Sequence, residues 1–155
     1  MKKILMWALG ILVAACILIQ LKRPDKTNPP VNPAAVYTAH LSVPDDVKAI
    51  IGRACNDCHS NETTWPWYSN VAPVSWLVAG DVEQGRRHLN FSEWGTYKKA
   101  RMIKKLSEIE GEVTDNSMPL QKYVKMHPEA ALSDADRDRL SKWAIEEGNK
   151  LGLKQ

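Results

Sequence analysis

Cysteine is scarce in this chain, with three residues in 155, and their placement excludes a good deal. Cys55 and Cys58 sit three apart, while Cys16 lies inside an apolar run. No second pair exists to close a four-ligand zinc site. A parallel-strand pattern around the pair is also missing, so the βαβ setting of a thioredoxin-like C-x-x-C motif is absent. No internal repeat recurs. Net basic charge is small as well, at +3. Lys2, Lys3, Lys22 and Arg23 flank one apolar stretch, and without these four residues 17 basic side chains face 18 acidic ones. Nothing in that balance points to nucleic acid.

The apolar stretch runs from Ile4 to Leu21, interrupted only by Gln20. Its length is close to the roughly 20 residues that cross a bilayer as a helix. No small-x-small cleavage site lies between it and Lys22, which favours an uncleaved anchor over a removed signal peptide. A third reading is a lipoprotein. Val13-Ala14-Ala15-Cys16 resembles a lipobox, but the apolar Ile17-Leu18-Ile19 would then begin the mature chain. Packed in an anchor, Cys16 is simply a small apolar filler.

What the chain does contain is Cys55-Asn56-Asp57-Cys58-His59, a C-x-x-C-H run. Two thiols at this spacing can each form a thioether to a haem vinyl group, and the adjacent imidazole is then placed to ligate the iron. One covalent haem c is the cofactor this implies, with His59 as its proximal ligand.

The chain divides into an anchor over residues 1–22, a proline-rich linker over 23–43 and a haem-binding domain over 44–155. Five of the nine prolines (Pro24, Pro29, Pro30, Pro33 and Pro44) fall between positions 24 and 44. They predict a semi-extended spacer, although Val31, Val36, Tyr37 and Leu41 are apolar enough to dock on the domain. Beyond it, Val47, Ile50, Ile51 and Ala54 form a helical stripe behind Asp45-Asp46 and lead into the cysteine motif. Residues 60–70 read as an aromatic-rich loop. Pro73 opens a helix carrying Val74, Trp76, Leu77 and Val82. Ser92 and Glu93 open another, with Met102, Ile103, Leu106 and Ile109 on its apolar face and Gly111 as its stop. Residues 112–117 read as polar loop. Ser133 and Asp136 form a capping box for the last helix, which carries Leu140, Trp143, Ala144 and Glu147 and ends at Gly148. The expected fold is all-α with long loops around the haem.

That order looks like the cytochrome c fold, in which a first helix ends in C-x-x-C-H and a last helix crosses it. Further segments resemble the small bacterial haem-binding domain family. They are Arg23-Pro24-Asp25-Lys26-Thr27-Asn28-Pro29-Pro30, Cys58-His59-Ser60-Asn61, Trp65-Pro66-Trp67-Tyr68-Ser69, Ala72-Pro73-Val74-Ser75-Trp76-Leu77, Asn90-Phe91-Ser92-Glu93-Trp94, Met118-Pro119, Tyr123 and His127-Pro128. The resemblance covers about residues 22 to 145 and implies haem binding, with little about physiological role. Thioether attachment also resembles bacterial cytochrome maturation on the outer side of the inner membrane, so the folded part is expected to face the periplasm.

Met118 is the candidate distal ligand. It stands in a polar loop before a stiffening proline, at a distance from His59 similar to that in single-haem cytochromes c; the plainer role is a gap-filler in the pocket. His127, also before a proline, is its main rival. Met126, His88, Met102 and His40 are weaker: Met102 falls on an apolar stripe, His88 at a helix end and His40 in the linker. Trp65, Trp67 and Tyr68 are candidate haem contacts, or else an aromatic fastening for their loop. Lys98, Lys99, Arg101, Lys104 and Lys105 suit either an acidic redox partner or a solvated helix face. Both axial positions filled would favour single-electron transfer over catalysis. The alternatives are a gas or redox sensor in which Met118 is displaced, and a small peroxidase using His127 with Arg137 or Arg139.

Overall fold

The structure is a computed structural model describing residues 1–153. It is all-helical, with no strand among the described residues. The first helix, α1 (Lys2–Ile19), carries the apolar run, buries none of its residues and has a mean hydropathy of 2.1. It is long and apolar enough to span a membrane, consistent with a single-pass anchor.

The domain core is built by three helices. In α2 (Asp45–Ala54) the expected stripe of Val47, Ile50, Ile51 and Ala54 is buried, and Asp45 and Asp46 occupy the first turn, where the helix dipole favours negative charge. Helix α3 (Asn56–His59) follows almost without a break. Helices α5 (Lys99–Thr114) and α7 (Asp134–Leu153) pair along their lengths. They bury Leu106, Ile109, Val113, Leu140, Trp143 and Ala144 against α2 and against Phe91 and Trp94. The start of α7 is the expected capping box. The Asp136 amide donates to Ser133 Oγ at 3.1 Å, and the Ser133 amide donates back to Asp136 Oδ2 at 2.9 Å.

Three expected boundaries move. Ser92 and Glu93 lie in a 3-10 stretch, Phe91–Thr96, capped by the Asn90 side chain; α5 starts only at Lys99. That helix runs through Gly111 to Thr114, absorbing the first part of the expected polar loop. The left-handed turn that follows is supplied by Asn116, with φ of 60°, a conformation Asn tolerates better than most residues. Finally, α7 passes Gly148 without interruption. In the last two cases a glycine that marks a stop by its propensity lies inside the helix, where tertiary packing overrides that weak preference.

The proline-rich segment docks on the domain. Tyr37 and Leu41 join the core, Trp143 Nε1 donates to Ser42 O at 2.9 Å, and the buried Glu147 accepts from the Ser42 amide at 3.1 Å. Two further helices, α4 (Val74–His88) and the short α6 (Gln121–Met126), flank the cysteine motif.

Candidate cofactor site

Helix α2 delivers Cys55 at its C-terminus, and the single turn of α3 carries Cys58 and His59. Both thiols border a cavity of about 570 Å³, within the range of pockets that hold organic ligands. His59, Leu89, Phe91, Ile109, Val113 and Met118 contribute to its lining. Burial pushes the Cys55 thiol up to about 12 and that of Cys58 to about 11, the second reinforced by the Asp81 carboxylate. The sulfurs are therefore held as thiols.

His59 is fixed by α4. Its Nδ1 lies 3.0 Å from Gly85 O and 3.0 Å from Leu89 O. Carbonyl oxygens only accept, so Nδ1 carries the proton and Nε2 keeps its lone pair. That is the arrangement by which proteins orient a metal-ligating imidazole. Burial also lowers the pKa of His59, which favours the neutral ring.

Gly85 makes this approach possible. A Cβ at this position would collide with the Cys58 carbonyl, 2.9 Å from its carbon. Helix α4 thus packs backbone to backbone on the motif, and only glycine permits it.

Met118, which also lines the cavity, is held by a residue farther along the chain. Arg137 Nη1 donates to Val113 O at 2.9 Å and to Met118 O at 3.2 Å. This guanidinium ties the end of α5 and the methionine loop to α7.

The other sequence candidates lie elsewhere. His127 Nδ1 donates to Glu129 Oε1 at 3.2 Å, and its Nε2 accepts from Tyr68 OH at 2.7 Å, so both ring nitrogens are engaged. It also stacks on Tyr123, with ring centroids 4.4 Å apart. His127 and Tyr68 therefore form a cluster beside the motif and do not line the cavity. Trp67 is exposed, and Trp65 lines a separate groove near Arg86. Met102 packs against the core, as its stripe position suggested. Met126 is exposed, and His40 Nε2 pairs with Ala34 O at 2.9 Å. His88 does border the cavity, from the exposed end of α4. Arg139 pairs with Asp46 at 2.6 Å, far from Met118 in role.

Several residues contribute to the site in ways that neither motif nor spacing shows. Tyr123 lines the cavity and donates to Asp57 Oδ2 at 2.7 Å, while Asp57 Oδ1 accepts from the Thr64 amide at 2.9 Å. Burial raises the Tyr123 phenol strongly, helped by the Asp57 carboxylate, so Tyr123 remains a donor. Lys105, 9% exposed, borders the cavity and pairs with Glu108 at 2.5 Å.

The chemistry narrows to one class. Among the described residues no three His, Cys, Asp or Glu side chains gather around a common point to hold a bare metal ion. What converges instead is two thiols, one imidazole with a free Nε2 and one thioether sulfur, around an apolar space. Those groups fit a haem, which brings four of its iron's ligands with it. An all-helical haem-binding domain is thus the class that fold and site define. The comparison of sequences agrees: the model of a family described as a haem-binding domain matches residues 14–146, and the chain belongs to that family. No curated protein and no solved structure matches it.

Proposed function

We propose that the protein is a monohaem c-type electron carrier, anchored in the inner membrane by α1 with its domain in the periplasm. The observation that supports this best is the pairing of His59, its Nδ1 saturated by two carbonyls, with Met118 on one cavity. Haem bound there would supply the one-electron Fe(III)/Fe(II) couple.

The residues divide the work. Cys55 and Cys58, both on the cavity, would hold the haem through thioether bonds made from their S–H groups and its vinyl groups, with no net oxidation. His59 presents Nε2 in a fixed plane because Gly85 and Leu89 hold its other nitrogen. Met118 offers a soft sulfur, which favours the reduced state more than a second imidazole would. Phe91, Ile109 and Val113 exclude water from the cavity wall. Lys105 and Lys122 line the cavity, paired with Glu108 and Asp81, and would offer positive charge to haem propionates. The basic surface of α5 is suited to an acidic redox partner.

The optical spectrum of the holoprotein, reduced with and without carbon monoxide, tests this reading. A six-coordinate ferrous spectrum indifferent to the gas is expected, and Met118→Ala should make it gas-sensitive. An immediate shift in the unmodified protein would favour the sensor reading, in which Met118 is displaced.

A further inference from the structure

The start of α4 departs from what its apolar residues predict. Val74 and Leu77, which share a face at i and i+3, are 41% and 61% exposed. Immediately upstream, Val71 is 48% and Trp67 75% exposed. Single apolar residues in water are ordinary, but a cluster of large ones marks an interaction surface. Trp67 lies in the 3-10 turn Trp67–Asn70, Val71 directly after it and Val74 and Leu77 on α4, and turn and helix pack against each other.

What lies beside the cluster identifies its occupant. Ala72 is clamped in both directions by Gln20: Gln20 Nε2 donates to Ala72 O at 3.1 Å, and the Ala72 amide donates to Gln20 Oε1 at 2.9 Å. Gln20 caps the C-terminus of α1. Trp76 Nε1 donates to Lys22 O at 2.6 Å, and the Lys22 ammonium stands 5.8 Å from the Trp76 ring centroid. Lys26 bonds Ser69 and Asn70 at the end of the Trp67 turn. The exposed apolar cluster is thereby fixed at the level where an 18-residue apolar helix ends. In a bilayer that is where hydrocarbon gives way to headgroups, the depth favoured by Trp and by the snorkelling side chains of Lys and Arg.

We propose that Trp67, Val71, Val74 and Leu77 form a lipid-contacting face of the domain, seated on the bilayer that α1 crosses, with Lys22, Arg23 and Lys26 against anionic headgroups. The proposal rests on the reading of α1 as a membrane anchor and adds to it a fixed posture for the domain. Gly85, which holds the motif, lies about 12 Å along the α4 axis from Leu77 at helical rise, and falls outside the proposed face.

The test uses the full-length holoprotein in vesicles of phosphatidylcholine and phosphatidylglycerol containing a lipid with a photoactivatable diazirine high on its acyl chain. Peptide mapping after illumination should find label both in residues 4–21 and in residues 67–77. The double variant Val71→Lys, Leu77→Lys should lose the second label, by about tenfold given the cost of placing charge in lipid, and retain the first. Both positions are exposed, so an unchanged haem spectrum verifies folding. Label confined to residues 4–21 would overturn the proposal and leave the face to a protein partner. Absence of label from both segments would overturn the anchor itself, and the proposal with it.

Discussion

The two halves of this domain are held together by different physics. One half, α2, α5 and α7 with Phe91 and Trp94, is an apolar core in which Trp94, Leu106, Leu140 and Trp143 are essentially fully buried. The other half, comprising residues 20–34, the cysteine motif, the aromatic loop and α4, has little apolar interior. Helix α4 buries only Ser75, Val82 and Gly85. It is wired instead by hydrogen bonds, above all from Arg86, which donates to Ser60 O at 2.8 Å, Asn28 Oδ1 at 2.7 Å and Thr63 Oγ1 at 2.9 Å. The cofactor cavity takes its lining from both halves, Ile109 and Val113 from one and Cys58 and Gly85 from the other. A helical domain can dispense with an apolar interior on one side when a haem is to fill that place.

Substitutions in each half sharpen this contrast. Trp143→Ala removes the largest side chain of α7 from the core and should cost about 3–5 kcal/mol by chemical denaturation, with or without haem. Arg86→Met keeps the side-chain stem but strands the Ser60 and Thr63 acceptors, and should cost about 2 kcal/mol. Its signature is selective: hydrogen exchange in residues 56–70 should accelerate while α5 and α7 stay protected. Uniform acceleration would mean the halves do not differ as described. Gly85→Ala crowds the Cys58 carbonyl. It should cost about 1–2 kcal/mol after the helix-propensity gain of alanine, and it should impair haem incorporation more than stability.

Acid should reveal the smallest difference. The Asp136 carboxylate accepts from the Ser133 amide and hydroxyl and pairs with Arg53 at 2.9 Å, which holds its pKa below the ordinary value. The Arg139 hydrogen bond does the same for Asp46. A lowered folded-state pKa gives stability that is present above the ordinary carboxylate range and is lost as pH falls through the folded value. Thermal stability should therefore decline modestly below about pH 4, where an unperturbed Asp titrates. Asp136→Asn should flatten that decline.

The packed half was largely legible in the sequence, because burial along a helix leaves a 3.6-residue period. The stripe in α2 and the capping box at Ser133 stand where the pattern put them. The wired half was not. Arg86 reaches Asn28 across 58 positions, and Tyr123 reaches Asp57 across 66; bonds of that kind leave no periodicity to read. Gly85 gave no signal either, since a helical glycine looks like a weak point until the backbone it touches is known. Cys55, Cys58 and His59 were conspicuous because their chemistry is local, and Met118 because a methionine in a polar loop needs a reason. His127 stood as the main rival because it too precedes a proline, and only the three-dimensional arrangement shows its nitrogens already occupied.

The fork that Arg137 makes between Val113 O and Met118 O has a consequence for timing. It gives the Met118 loop an attachment to α7, the helix most deeply engaged with the core. A small molecule competing for the place of the sulfur would meet a backbone held fast by the guanidinium. The wait would then be for the Met118 side chain alone to turn aside, a faster motion than the release of a loop.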